Sequence, residues 1–302
     1  MDQPALTEVS VCLFAEGDAA TFFAVAGALD VAADGLTFRV IVYDCGLDVW
    51  AATALNALCE ADPAIMLRSV PNGDKAAAWN DYIHRAAGSP FAHIFVEGSA
   101  VPAPGSFRAL TDALAANPAA WGATALSASG ASRRSWARKT LLHHGLNRQL
   151  YAASSAFVAV ARGHETRLPY GASGLDGIVA YLMLTDLKGG ATAERPQRIV
   201  VADNAFFTFD ALRLRPSDFR RWRLREREQA KAKVEAQALY PRLKRFGVGA
   251  MPLAISEIWR EGGLHQARPR TGVVGGYFDR SVIKDLAQRF ATTPSKTTRP
   301  AK

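Results

Sequence analysis

Phe91 to Phe107 reads FAHIFVEGSAVPAPGSF. The apolar run Ile94-Phe95-Val96 stops at Glu97-Gly98-Ser99 and passes into a Pro-rich segment. That is the pattern of a buried strand whose carboxyl end carries an acidic side chain on a tight turn. In open α/β sheets this is the edge at which ligands bind.

The segments upstream repeat the pattern. Val9 to Phe14 is a short apolar run ending at Ala15-Glu16-Gly17-Asp18, and the Ala-rich stretch from Ala19 to Ala33 reads as a packed helix. Phe38 to Tyr43 is a second strand, ending at Asp44-Cys45-Gly46-Leu47-Asp48 before a helix over Val49 to Glu60. Ala64 to Val70 is a third strand, and a helix from about Asp74 to Ala87 leads back to Ile94. Strands alternating with helices at this spacing predict an α/β fold with a mostly parallel central sheet and helices on both faces. Glu16 and Asp18, Asp44 and Asp48, then Glu97 and Ser99 would all converge on one sheet edge. Carboxylates gathered in this way are costly unless a cation, a base or a hydroxyl-rich ligand meets them.

Downstream, Pro104 to Ala116 reads as a helix and Trp121 to Ala125 as a strand. Ser127 to Arg138 reads as a mobile loop before a helix around Lys139 to Tyr151, and Ala156 to Ala161 reads as a strand. The turn-rich Leu168 to Gly174 opens onto Leu175-Asp176 and an apolar helix to about Leu187. An Asp at a helix start is often an N-cap, and that role stays open for Asp176 beside a functional one. Ile199 to Ala202 and Ala205 to Phe209 read as closing strands, and Pro216 to Ala238 as a highly charged helix. Leu239 to Trp259 fits either an amphipathic interfacial helix or one packed on the domain. The segment after Thr292 has the composition of a disordered tail.

Charge divides the chain. Residues 1–212 hold 15 Lys and Arg against 20 Asp and Glu, a net of −5, whereas residues 213–302 hold 21 against 8, a net of +13. A basic C-terminal region suits an anionic partner such as a membrane surface, or it is a solvated tail. No run approaches the roughly twenty apolar residues needed to cross a bilayer, and the N-terminus lacks the pattern of a secretory leader, so a cytosolic protein is expected. Cys12, Cys45 and Cys59 lack metal-ligand spacing and read as buried reduced thiols. GxGxxG, P-loop and HExxH motifs are absent. The basic region lacks the aromatic interleaving of a nucleic-acid binder, so no nucleic-acid partner is expected. A nucleotidyltransferase would carry a Gly-rich basic loop after its first strand, where this chain has the acidic AEGDAATFF.

Together these pieces resemble a family-2 glycosyltransferase of the GT-A fold. VSVCLFAEGD resembles the family's first strand and acidic loop, and VIVYDCGLD its second strand and Asp-Asp-Gly-Ser-type turn. Asn72-Gly-Asp-Lys-Ala-Ala-Ala-Trp-Asn80 is similar to the family's Asn-x-Gly-Lys-x-x-Ala-x-Asn helix start, and the strand at the DxD position follows at the family's distance. Gly174-Leu-Asp176 stands where the family has its Glu-Asp pair, and Asp218-Phe-Arg-Arg-Trp222 resembles its QxxRW signature. The resemblance covers about residues 8–230 and implies a nucleotide-sugar-binding catalytic domain over 1–212. A basic helical extension over 213–292 and a disordered tail over 293–302 complete the expected organisation.

The resemblance implies a transferase that moves a sugar from a UDP- or GDP-sugar donor to a saccharide or lipid-linked acceptor, with inversion. In its terms Asp44 holds the nucleobase or ribose, with Ala15 and Glu16 lining the same pocket and Lys75 close to the nucleotide. Glu97 and Ser99 occupy the metal-site turn, where Glu97 would ligate Mg²⁺ or Mn²⁺. Asp176 is the general base, and Arg221 with Trp222 meets the pyrophosphate or acceptor. The basic region would hold the protein peripherally on the inner, cytoplasmic face of a membrane. Glu97-Gly-Ser99 has one carboxylate fewer than DxD, Cys45 replaces the second Asp of the turn, and Asp218 replaces the Gln of QxxRW. These departures leave open an enzyme with an altered metal site, a metal-independent enzyme using the Arg-rich helix after Pro216 as electrophile, and an inactive homologue serving as a binding or scaffold subunit.

Overall fold

The computed structural model describes residues 7–130, 133–209 and 218–291. Its strands are β1 (Glu8–Gly17), β2 (Thr37–Leu47), β3 (Ile65–Arg68), β4 (Ala92–Glu97), β5 (Ala100–Pro102), β6 (Gly122–Ser127), β7 (Leu150–Ser154) and β8 (Ile199–Phe209). The helices are α1 (Ala19–Ala26), α2 (Leu29–Ala33), α3 (Val49–Ala61), α4 (Lys75–Asp81), α5 (Ser106–Ala116) and α6 (Arg133–His143). They continue with α7 (Ser155–Gly163), α8 (Leu175–Leu184), α9 (Asp218–Phe246), α10 (Ile255–Arg260) and α11 (Val273–Ala291). The strands form one sheet in the order β3-β2-β1-β4-β7-β6-β8-β5. β1, β2, β3 and β4 run parallel, β7 is antiparallel to both its neighbours β4 and β6, and β6 and β8 are again parallel.

Strand alternation divides the core between two faces. Val9, Val11, Leu13 and Ala15 of β1 join Ile94 and Val96 of β4 under α1, α2, α3 and α5. Cys12 and Phe14, with Phe95, face α4, α7, α8 and the C-terminal helices α9, α10 and α11. On that second face Phe95 stacks on Tyr151 with ring centres 4.7 Å apart and on Phe14 at 6.3 Å, joining β1, β4 and β7. Each such ring pair is worth about 0.5–1.5 kcal/mol beyond its buried area.

The β1–α1, β2–α3 and β4 units lie where the sequence predicts them, and the departures are local. Ala156 to Ala161 lies in helix α7, not a strand: Phe157, Val158 and Ala161 are buried at helical spacing, and Ser154 caps the helix by accepting from Phe157 N–H at 3.2 Å. The helix expected near Lys139 to Tyr151 is α6, which ends at His143 before a left-handed His144 (φ 48°). Leu150 then enters the sheet as β7, because its run of small and apolar residues is buried on both faces. The two closing strands are one, β8, with a break in its register against β6. α9 continues through Pro241 to Phe246, joining the helix expected over Pro216 to Ala238 to the first part of the one expected over Leu239 to Trp259, and buries Ala230, Val234, Ala238, Leu239 and Leu243 against the domain; the rest of that stretch is a short turn and α10. The packed alternative therefore holds for Leu239 to Phe246. Cys12, Cys45 and Cys59 are free thiols, of which Cys12 is fully buried and the other two half-buried. The expected disordered tail lies outside the described residues.

Candidate active site

The parity that sorts the core also aims the site. Glu16 shares the face of Cys12 and Phe14, and Glu97 shares the face of Phe95; in the parallel register Phe14 lies opposite Glu97. Both carboxylates therefore leave the carboxyl edge on one side, beneath the start of α4. Asp74 caps α4, accepting from Ala77 N–H at 2.8 Å, and so places Lys75 in the first turn. The Lys75 ammonium donates to Glu16 Oε2 at 2.8 Å and to Glu97 Oε1. Arg148 approaches from the loop before β7, with Nη2 3.9 Å from Glu97 Oε1 and 4.0 Å from Glu228 of α9.

Glu97 is 5% exposed. Burial alone would raise its pKa, but the attraction of Lys75 and Arg148 outweighs that and holds the carboxyl below the ordinary range. Glu16 is displaced upward, by burial first and then by repulsion from Glu97. Burial opposes the charge on Lys75, yet Glu97 and Glu16 keep the amine firmly protonated.

Asp176 lies in the first turn of α8, whose cap position is Gly174, with no side-chain capping bond. Burial raises its pKa, partly offset by Arg148 and by the backbone N–H groups of Asp176 and Gly177. The loop before it is braced at two points. Gly171 N–H donates to Asp74 Oδ2 at 2.8 Å, and Ser173 N–H donates to Glu235 of α9 at 2.6 Å.

The remaining acidic residues at the strand ends serve the backbone. Asp18 and Asp48 cap α1 and α3, each accepting a backbone N–H at 2.8 Å. Asp44 Oδ1 accepts from Gly46 and Leu47 N–H, both at 3.0 Å, forming an Asx turn. Asp44 also lines a cavity of about 320 Å³ with Cys45, Val70, Asn72 and Gly73. The Ala15 side chain is buried in the core on the opposite face from Glu16, so its backbone alone meets the edge. Ser99 is half-buried on the turn after Glu97. Arg221 lies close enough to Asp18 to help hold that carboxyl down, whereas Trp222 packs among Phe219 and Phe278, with ring centres 5.4 and 5.5 Å away.

The structure thus gathers Glu16, Lys75, Glu97, Arg148 and Asp176, and sets Asp44 at a neighbouring cavity. Arg148 and Glu235 are the residues that sequence reasoning missed. Recognition of Leu150 to Ser154 as a strand beside β4 would have found Arg148, since Val96 pairs with Leu150 and Glu97 N–H donates to Gln149 O. A divalent ion fits this donor set poorly: Lys75 already occupies the space between the Glu16 and Glu97 carboxylates, Arg148 adds a second cation at Glu97, and Ser99 offers only a neutral hydroxyl. Among the described residues no group of three His, Cys, Asp or Glu side chains is placed to hold a metal ion.

No family model matches the chain, and no curated protein matches it. Solved structures do. The chain is similar to the mannosyltransferase PcManGT from Pyrobaculum calidifontis, determined in complex with GDP-Man and Mn²⁺, with a TM-score of 0.51 and 15% identity over 93% of this chain and 80% of that one. The likeness is one of fold: the chain shares the α/β architecture of that mannosyltransferase.

Proposed function

We propose that the chain is an inverting glycosyltransferase of the GT-A type, related to family 2, that uses a nucleotide-sugar donor. The observation that carries this reading is the convergence of Glu16, Lys75, Glu97 and Arg148 at the carboxyl edge of parallel strands, beside the cavity at Asp44, with Asp176 near enough to interact electrostatically with Arg148 and Glu97. The cavity suits the nucleoside of a UDP- or GDP-sugar, with Asp44 at the base or ribose and the backbone of Ala15 and the Glu16 side chain along its wall. Glu97 and Ser99 form the turn facing the diphosphate, and Arg221 approaches from α9 as Trp222 anchors that helix.

Asp176 is the general base. An acceptor hydroxyl attacks the anomeric carbon while its proton passes to the Asp176 carboxylate. The bond from that carbon to the donor's β-phosphate oxygen breaks, its electron pair leaves with the nucleoside diphosphate, and the configuration inverts. A carboxyl raised above its ordinary pKa by burial is better matched to proton uptake near neutrality. The cations Lys75 and Arg148 oppose the negative charge that grows on the leaving diphosphate. The assignment of Mg²⁺ or Mn²⁺ to Glu97 meets the poor donor set described above, and no step depends on it.

The acceptor is a saccharide or a lipid-linked sugar. Among the described residues no helix is long and apolar enough to cross a membrane. α9 and α11 instead present a groove of about 220 Å³ lined by Phe219, Leu224 and Tyr277 together with Arg220, Arg223 and Arg227. Exposed aromatic rings beside arginines suit peripheral contact with an anionic bilayer, at the inner, cytoplasmic face.

The test is calorimetric titration with GDP, UDP and their sugars, followed by a transfer assay on the sugars that bind. Donor binding with release of the nucleoside diphosphate supports the reading. Absence of nucleotide binding overturns it, and binding without turnover by the intact chain identifies a binding homologue.

A further inference from the structure

The site that the donor reading assigns to the diphosphate already contains a cation between its two carboxylates. Lys75 is anchored by the cap of α4, reaches Glu16 Oε2 at 2.8 Å and donates as well to the nearly buried Glu97. Two carboxylates on adjacent strands, drawn together by one cation, are the arrangement that a divalent ion would otherwise occupy. Such an ion would compete with the ammonium for the same oxygens and would be repelled by it.

Arg148 adds a second fixed charge. Its contacts to Glu97 and Glu228, at 3.9 and 4.0 Å, exceed hydrogen-bond length, so they hold the guanidinium electrostatically without using its donors. Its Nε is buried and has no hydrogen-bond partner among the described residues. An unpaired buried donor beside an ammonium requires an acceptor, and a phosphate meets a guanidinium through two parallel hydrogen bonds. Cys45, which replaces a carboxylate of the family pattern, has its thiol pushed up to about 12 by burial, so it adds no anionic metal ligand.

We propose that Lys75 and Arg148 are the built-in cations of the donor site, taking the place of a divalent metal, so that the chain binds nucleoside diphosphates metal-independently. The inference rests on the donor-site reading above and assigns the electrophilic role to these two residues, ahead of the arginines of α9. Lys75 holds Glu16 and Glu97 together in the free protein and offers its remaining donor to the diphosphate. Arg148 supplies Nε and one Nη as a bidentate contact.

The test is calorimetric titration of the full chain with GDP and with UDP, in EDTA and then in excess Mn²⁺ or Mg²⁺. The wild type should bind with affinities that differ by less than about threefold between EDTA and metal. Lys75→Met, which keeps the length and apolar stem, should lose at least about tenfold in EDTA and regain affinity with Mn²⁺, because Glu16 and Glu97 are then released to ligate it. Arg148→Met should lose affinity in EDTA to a similar extent, which keeps the test available if the Lys75 variant misfolds. Wild-type binding strengthened about tenfold or more by metal would overturn the inference and leave the donor reading standing. Unchanged affinity of folded Lys75→Met in EDTA would also overturn it. A wild type that binds no nucleotide in any condition removes the donor reading, and the inference with it.

Discussion

Gly98 lies so close to β1 that a Cβ at this position would stand 2.5 Å from the Glu16 backbone nitrogen. The same Cβ would stand 2.5 Å from Phe14 O, the carbonyl to which Gly98 N–H donates at 2.8 Å. The middle residue of Glu97-Gly98-Ser99 is therefore fixed by backbone contact between strands, which also sets the spacing of the Glu16 and Glu97 carboxylates. Gly98→Ala is expected to destabilise the fold by about 1–3 kcal/mol, the usual cost of overpacking a close contact. Urea denaturation measures this, and a midpoint equal to that of the wild type would show that β1 and the turn can separate freely.

Asp176→Asn separates chemistry from binding. With the carboxylate replaced by an amide that accepts no proton, turnover should fall by about 10²–10⁴-fold while donor affinity stays within about twofold. Calorimetry and a transfer assay on the same preparation measure the two effects. Parallel losses of affinity and turnover would move Asp176 from proton transfer to donor binding.

Glu235 gives a pH signature. Burial raises its pKa from 4.5 to about 6, against the pull of Lys231 and of the Ser173 hydrogen bonds. The folded state therefore holds the proton more tightly than the unfolded chain does. The resulting stability is fully present below pH 4.5 and is lost as pH rises through about 6. Glu235→Gln keeps an acceptor for Ser173 N–H and removes the titration. Its stability relative to the wild type should rise by about 2 kcal/mol between acid and neutral pH. Thermal melts of both proteins at two pH values check this, and a constant difference would contradict it.

The groove between α9 and α11 makes the membrane contact separable from the donor site. Phe219 and Tyr277 are 59% and 63% exposed there, beside Arg220 and Arg223. Replacing both arginines by Glu should weaken binding to anionic vesicles at least about tenfold, given about 1 kcal/mol for each basic residue near such a surface. Nucleotide affinity should not change. Vesicle sedimentation at low and high salt provides the measurement, and retention equal to that of the wild type would remove the bilayer as the partner of this face.

The sequence by itself determined the αβ alternation, because apolar runs of strand length ending in Gly and Asp are local signals set by backbone propensity and burial. It placed Glu16 and Glu97 at strand ends on one sheet edge, and strand alternation ties Glu16 to the face of Phe14 and Glu97 to that of Phe95; the β1–β4 register then put both on one side. It placed Lys75 at the head of a helix beginning near Asp74, and the structure added that Asp74 caps that helix. It did not distinguish the cap and turn roles of Asp18, Asp44 and Asp48 from ligand roles, because an isolated carboxylate at a strand end reads alike in either case. The identity of β7 and α7 was also hidden, since Leu150 to Ala161 is a run of small and apolar residues that suits strand and helix equally. Only the tertiary structure decided between them, by giving Leu150 to Ser154 the hydrogen bonds of β4 and β6. That same pairing brings Arg148 to Glu97 across 51 residues of chain, a contact fixed by strand order and register and by nothing local to either residue.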